Sequence, residues 1–561
     1  MDQQPAQREE TSTAMSQVFP IEPVLVIGAG PVGQTAALLL ARWGLPVIVV
    51  DTRPERDLVG SKALVQQRDV IDVWCAVGAG DEIAAEGVTW TTGRTMYRDR
   101  ELFATQWVDR GASPLPAFVN LSQSRTEALL DEQIARQPLI EVRWDHEVID
   151  VRQDDHGVTL TCLNGNAEVL LRGSHAIACG GARAERLRTV LGVTFEGESF
   201  TDPFLICDLR ADLGAWSRER RFYFDPEWNP GRQVLVHPCP DSTYRIDWQV
   251  PPGYDLAAEE ASGALEHRIR QIVGERDYEI VWKSVYRFHA RCADRFRVGR
   301  VLLAGDVAHL VSPFGARGLN SGVQDAENAA WKIAFARNGW GEEEVLLDSY
   351  HVERLAAARE NLAVSTATMN FLAPRDPAAW QHRRDLLEQA VDDSSVHPLV
   401  DSGRLAEPYW YVNSPLVTPD PTRAAPARPP KGQYPDPAPG VLVPDFPVTI
   451  PDQPTITRLR QLVRDGLLVL VAGTASEQRA REALTSVAAP VAVLDVDAVA
   501  GNGLGRRCLG LAEGEYWLVR PDGHIAAVTR DARALIDAAH RAVGLAAAPA
   551  QAAAVPVSSS S

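Results

Sequence analysis

The first glycine turn constrains this chain more than any other feature. Gly28-Ala29-Gly30-Pro31-Val32-Gly33 follows the apolar run at 24–27 directly and opens a helical stretch at 35–43, after which residues 46–50 are apolar again. Strand, glycine turn, helix and strand form one βαβ unit, and such a unit implies a parallel sheet. Each glycine has its own reason. The first lets the chain turn, the second lets backbone amides approach a pyrophosphate at the helix N-terminus, and the third lets helix pack on strand. Asp51 ends the second strand, where a carboxylate can accept hydrogen bonds from ribose hydroxyls. A dinucleotide-binding fold is therefore expected, with the choice of dinucleotide left to the rest of the chain.

Length and composition bound the remainder. With 561 residues the chain has room for two or three domains. A formal net charge of −18 opposes binding to rows of phosphates, so no nucleic-acid partner is expected. The seven cysteines are scattered without a CxxC pair, which disfavours a disulfide framework or a metal site and fits a reducing, cytoplasmic compartment. No apolar run approaches the roughly 18 residues of a membrane span. Residues 1–20 lack the apolar centre of a signal peptide and read as a disordered leader.

Further along, strand-like alternation at 142–151, 158–163, 169–171, 221–225, 233–237 and 244–250 indicates mixed or antiparallel sheet. The expected architecture is α/β: a Rossmann-like domain over 21–375, interleaved with a mixed-sheet substrate domain at about 75–120 and 182–290. A buried strand at 301–304 leads into a second glycine-rich turn, and residues 320–337 have helical spacing. Residues 376–440 read as a helical segment and a proline-rich linker. Alternating strands and helices over 441–545 make a small separate α/β domain, and 546–561 form a low-complexity tail.

The second glycine turn carries a family resemblance. Gly299-Arg300-Val301-Leu302-Leu303-Ala304-Gly305-Asp306-Val307-Ala308-His309, continuing as Ser312-Pro313-Phe314-Gly315-Ala316-Arg317-Gly318-Leu319-Asn320, resembles the second FAD signature of the single-component flavoprotein aromatic hydroxylases. The resemblance covers roughly residues 22 to 375. It implies that Asp306 accepts from the ribityl hydroxyls, and that Pro313, Gly315, Gly318, Leu319 and Asn320 border the flavin ring. His309 is expected to pack behind the flavin. The resemblance also implies that Gly28, Gly30, Pro31, Val32 and Gly33 cradle the pyrophosphate, and that Asp51 and Thr52 meet the adenosine ribose. Lys62 and Ala63 stand where the family has Arg-Ala, Gln123 and Arg125 match a helix touching the ribityl and phosphate region, and Val148 falls near adenine. One departure stands out: Gly180 occupies the place of an aspartate that the family shares between FAD and the nicotinamide cofactor.

The implied reaction uses NADH or NADPH and O2 to hydroxylate a small phenolic substrate through a flavin C4a-hydroperoxide, with the cofactor carrying the hard step. Pro313 and Phe314 are expected as pocket wall, and His237, Tyr223 and Gln249 as substrate-site residues. Alternation puts Arg245, Asp247 and Gln249 on one face of a strand and Tyr244, Ile246 and Trp248 on the other; which face turns inward stays open. The pattern of residues 228–250 looks most like 3-(3-hydroxyphenyl)propionate hydroxylases. Two other readings are a Baeyer-Villiger-type or epoxidising enzyme acting on a polyketide-like or quinone substrate, and a flavoprotein that binds a ligand without turnover. The C-terminal domain resembles the thioredoxin-like appendage of phenol hydroxylases. With Cys508 alone there, packing or homodimer contact is the expected role rather than redox chemistry.

Overall fold

The computed structural model describes residues 21–57, 63–106, 111–423 and 435–546. The expected leader and Lys62 lie outside the described residues, as does nearly all of the expected tail. At the centre is a six-stranded sheet in the order Ile140–Arg143, Val47–Val50, Val24–Ile27, His175–Ala178, Val301–Leu303, Arg297–Val298. All its pairings are parallel except the last, at one edge. Strands 24–27, 47–50 and 301–303 are short, apolar and buried throughout, as a parallel sheet covered on both faces requires.

The first helix is Pro31–Arg42, beginning four residues before the apolar spacing announces it, because Pro31 occupies the first helical position where its missing N–H costs nothing. A second long helix, Arg317–Arg337, starts behind Ala316, which adopts a left-handed conformation (φ 55°). The two helices meet at Val32. A Cβ on Gly322 would stand 2.6 Å from the Val32 side chain, so only glycine permits this approach.

The roof of the site is a seven-stranded sheet in the order Tyr278–Tyr286, Phe204–Ala211, Thr243–Gln249, Gln233–Pro238, Glu219–Phe224, Thr92–Tyr97, Arg100–Gln106. Its strands come from separate stretches of the chain and interleave with the dinucleotide-binding fold. One face packs against the helices Leu256–Ser262 and Ala264–Val273 through Leu205, Ile246, Trp248, Leu265 and Ile269. The other face holds Phe204, Phe222, Phe224 and Leu235 against Phe314.

Helix Glu343–Leu372 runs for 30 residues and had no counterpart in the sequence reading. It buries Leu346, Tyr350, Ala357 and Met369 on several sides, which blurs the apolar stripe that would announce it. Beyond it, the C-terminal unit is a mixed sheet in the order Val491–Asp495, Leu467–Val471, Tyr516–Val519, Ile525–Thr529. The first pair is parallel and the other two pairings antiparallel. It docks on the first domain through buried ion pairs: Asp72 with Arg458 and Arg464 (2.9 Å to the latter), Arg464 with Glu327 (2.7 Å), and Arg520 with Glu353 (2.6 Å). All seven cysteines are free thiols. Among the described residues, no helix is long and apolar enough to cross a membrane.

Candidate active site

The glycines of the first turn divide by what surrounds them. Gly28 has φ 106°, and a Cβ there would fall 2.4 Å from the Cys179 carbonyl oxygen; on Gly33 it would fall 1.8 Å from the Gly28 carbonyl. Both are fixed by the protein's own packing. Gly30 differs: a Cβ there meets nothing within 4 Å. The turn therefore leaves open space where Gly30 faces outward, beside the N-terminus of the first helix, where unpaired amides favour an anion. This cradle fits a pyrophosphate.

Asp51 stands beside it. One carboxylate oxygen accepts from the Ala29 amide at 2.7 Å, and the Arg53 fork covers both oxygens at 2.9 and 3.0 Å. Burial opposes ionisation of Asp51, but the hydrogen bonds from Arg53 and Ala29 prevail and hold its carboxyl below the usual range. Thr52 follows, exposed at the strand end. Arg56, which the sequence reading passed over, donates to the Ala29 carbonyl at 2.7 Å and pairs with Glu127 and Asp131, its guanidinium 5.2 Å from the centroid of Trp144. Val148 is buried at the start of strand Glu147–Asp154, just beyond His146, whose amide donates to the Asp51 carbonyl.

Helix Gln123–Ile134 presents two faces. Gln123, Glu127 and Asp131 recur every fourth residue and border this region: Ala63 donates its amide to Gln123 at 3.1 Å, and Gln34 donates to Asp131 at 2.6 Å. Arg125 is not brought to that face. Its guanidinium lies on Glu86 at 2.6 Å with Glu132 near, because two residues of helix turn the side chain away from Gln123.

The second turn is held from below. The Gly305 amide donates to Asp325 at 2.9 Å, and the same carboxylate bonds His309 Nε2 at 2.7 Å and Arg354 Nε at 2.6 Å. Burial would push Asp325 up, but Arg354 and His309 outweigh it and hold the carboxyl at about 2. His309 is fully buried and stacked on Phe296, so it belongs to the support of the turn. Asp306 occupies the short helical turn Gly305–Val307, half-buried at the end of the strand. Asn320 does not point its amide to open space: it bonds the Val65 carbonyl and the Gln67 amide, both at 2.9 Å, and ties the helix to that strand. Any contact of Asn320 with a flavin would use its backbone. Gly318, Leu319 and Asn320 carry amides of the first helical turn, where no side chain caps them. Gly315 is needed for another reason. A Cβ there would lie 2.2 Å from the Arg404 carbonyl, and its own carbonyl accepts from Ala406 at 2.7 Å. A strap of chain at 402–406 therefore closes over the turn, a feature no local pattern announced.

The roof settles which faces turn inward. Arg245, Asp247 and Gln249 share the Phe314 side, while Tyr244, Ile246 and Trp248 pack under the helices. Phe314 is buried among Phe204, Phe222 and Phe288, with Pro313 exposed beside it. His237 lies on this inward face, opposite Arg245. Burial, helped by the charges of Arg220 and Arg245, holds its imidazole neutral, well below the ordinary value. Its Nδ1 is covered without a hydrogen-bond partner among the described residues. Two expectations need correcting. Tyr223 alternates to the opposite face, where it packs edge-on against Trp228 and takes a hydrogen bond from Arg221, so it cannot meet a ligand under the roof. Gln249 is on the inward face, but its amide donates to Asp202 at 2.8 Å and it is fully buried, which makes it a brace at the strand end.

Residues 22–365 match the FAD binding domain family, and residues 436–546 the C-terminal domain of aromatic-ring hydroxylases. The chain is 31% identical over 398 residues to a flavin-dependent monooxygenase of Mycobacteroides abscessus, covering 66% of this chain and 80% of that protein. It is 31% identical over 366 residues to the 3-(3-hydroxy-phenyl)propionate/3-hydroxycinnamic acid hydroxylase of Comamonas testosteroni, covering 64% of this chain and 60% of that one. It also superposes on the flavin-dependent monooxygenase PieE, solved with FAD and substrate, with a TM-score of 0.79 over 93% of this chain and 98% of the other at 24% identity, a likeness of fold. The chain belongs to the FAD-dependent monooxygenase family of aromatic hydroxylases, whose reductant is NADH or NADPH.

Proposed function

We propose that this protein hydroxylates a phenolic substrate held between the glycine turn at 315–320 and the aromatic face of the roof, with FAD reduced by NADH or NADPH and reoxidised by O2. The observation that carries the reading is the inward roof face. Phe204 and Phe222 of that face, with Phe288 and Phe314 packed on them, make an aromatic wall that suits a planar ring, and His237 on the same face offers a neutral nitrogen without a partner among the described residues. FAD supplies the oxygen-transfer chemistry when bound. The protein's own part is to orient the ring, exclude water and hold the phenolic hydroxyl. Gly28, Gly30, Gly33, Asp51 and Asp306 are the residues we assign to FAD. The name of the Comamonas relative supports a phenol with an acidic side chain.

Gly180 stands beside the first turn, its Cα 3.2 Å from a Cβ built on Gly28. A Cβ on Gly180 itself would lie 3.0 Å from the Ala184 methyl, a tight contact. Nearby, Arg183 is exposed, while Arg188 is buried over Phe195 and donates to the Ala182 and Val307 carbonyls. The exposed Arg183 supports a docking place for the reductant that does without the usual aspartate. The test is anaerobic stopped-flow reduction of the FAD-loaded protein by NADH and NADPH, with and without a panel of substituted phenols. Bleaching accelerated by a phenol, with hydroxylated product on admitting O2, is the expected result; bleaching indifferent to every phenol would refute the phenol reading.

A further inference from the structure

The inward roof face holds a carboxylate that neither the flavin turn nor the aromatic wall accounts for. Asp247 lies in the middle of strand Thr243–Gln249, flanked in register by Ile206 on one side and Leu235 on the other. Arg245 and Gln249 share its face along the strand. Arg245 is already closed on Asp208 by two bonds of 2.8 Å, and Arg220 donates to the Ser402 carbonyl at 3.0 Å. His237 faces Arg245 from the next strand and is neutral. Among the described residues, the charged groups acting on Asp247 are Arg245, Asp208 and Arg220, and none of them is hydrogen-bonded to it. Asp247 is half-buried, and its Oδ1 is covered without a hydrogen-bond donor among the described residues. A covered acceptor left so is costly unless a ligand supplies the donor.

We propose that Asp247 is a catalytic residue: its carboxylate takes the hydroxyl proton of the bound phenol. The inference rests on the phenol reading of the site. In this step the phenol O–H bond breaks, its electron pair stays on oxygen and spreads into the ring carbons, and the proton forms a new O–H bond on Asp247. The ring thereby becomes the better nucleophile for oxygen transfer, and the proton returns to the product oxygen. Two physical features fit the task. Burial raises the Asp247 carboxyl to about 7 against the pull of Arg245 and Arg220, closer to a phenol than a free aspartate would be. The same two guanidinium groups favour the negative charge that develops on the phenol oxygen.

The test compares Asp247→Asn with the unaltered holoenzyme on two phenols that both carry a carboxyalkyl side chain, one whose hydroxyl is neutral at the assay pH and a ring-polyfluorinated counterpart whose hydroxyl is already ionised there. Loss of a positioned base removes about 100-fold or more in rate, so hydroxylation of the neutral phenol should fall by at least that factor. The ionised phenol needs no base and should change by less than about threefold, a split that a merely structural residue would not produce. In parallel, the absorbance of bound phenolate should appear with the neutral phenol in the unaltered protein and vanish in the variant. Equal losses on both phenols, or no loss on the neutral one, would overturn the proposal. Should the asparagine variant lose FAD, Asp247→Ser removes the same base with less volume and is read in the same way. An unaltered protein that hydroxylates neither phenol would overturn the phenol reading itself, an outcome distinct from failure of Asp247.

Discussion

Replacing Gly30 with alanine should separate cofactor binding from folding. At Gly30 φ is −73° and ψ 178°, angles open to any residue, and a Cβ there touches no protein atom within 4 Å. In the apoprotein two small effects oppose each other. Lower freedom of the unfolded chain adds about 0.4–1 kcal/mol of stability, and a poorer helix N-cap removes a similar amount, so the net change stays within about 1 kcal/mol. The bound state differs, because the new methyl occupies the space assigned to the pyrophosphate. Overpacking of that kind costs about 1–3 kcal/mol, which raises the FAD Kd about 5- to 150-fold. Urea unfolding of the apoprotein and titration with FAD, followed by quenching of flavin fluorescence, read the two quantities separately. Gly33→Ala is the contrasting control: its Cβ would sit 1.8 Å from the Gly28 carbonyl oxygen, so it should fail at folding. Unchanged FAD affinity in Gly30→Ala, or a urea midpoint as low as that of Gly33→Ala, would refute the assignment of this cradle.

Three further outcomes are expected. Asp72→Ala leaves the buried Arg458 and Arg464 without their shared carboxylate, which should cost about 3–5 kcal/mol and show in calorimetry as earlier release of the C-terminal unit; an unchanged thermogram would contradict the docking described. Burial holds His175, His237 and His351 below their ordinary value of 6.5, so on acidification the unfolded chain takes up protons first. Their share of stability is whole above that value and is lost as the pH falls below it; urea midpoints should decline in that range, and His237→Gln should flatten the slope. Tyr223→Phe should leave hydroxylation within about twofold, because the hydroxyl lies on the helix-covered face; product assays showing a tenfold loss would place Tyr223 at the site after all.

The sequence by itself determined the parts whose physics is local. A glycine turn between an apolar strand and a helix has few other solutions, so the βαβ turn at Gly28, Gly30 and Gly33 and the acid closing its second strand at Asp51 were legible. The second turn at 305–320 was legible for the same reason. Alternation in residues 244–249 correctly sorted the strand into two faces but could not say which was inward, since a period of two is symmetric until something packs on one side. Only the tertiary structure decided that: the helices at 256–273 cover Ile246 and Trp248, which leaves Asp247 facing Phe314. The same packing turned Tyr223 away and left His237 on the face of Arg245. Arg125 was misjudged because a motif gives spacing along a helix and not the partner, Glu86, waiting on its other side. Asp325, Arg354 and the strap at 402–406 join residues dozens of positions apart. No local pattern encodes such contacts, because they exist only once the chain has brought its distant segments together.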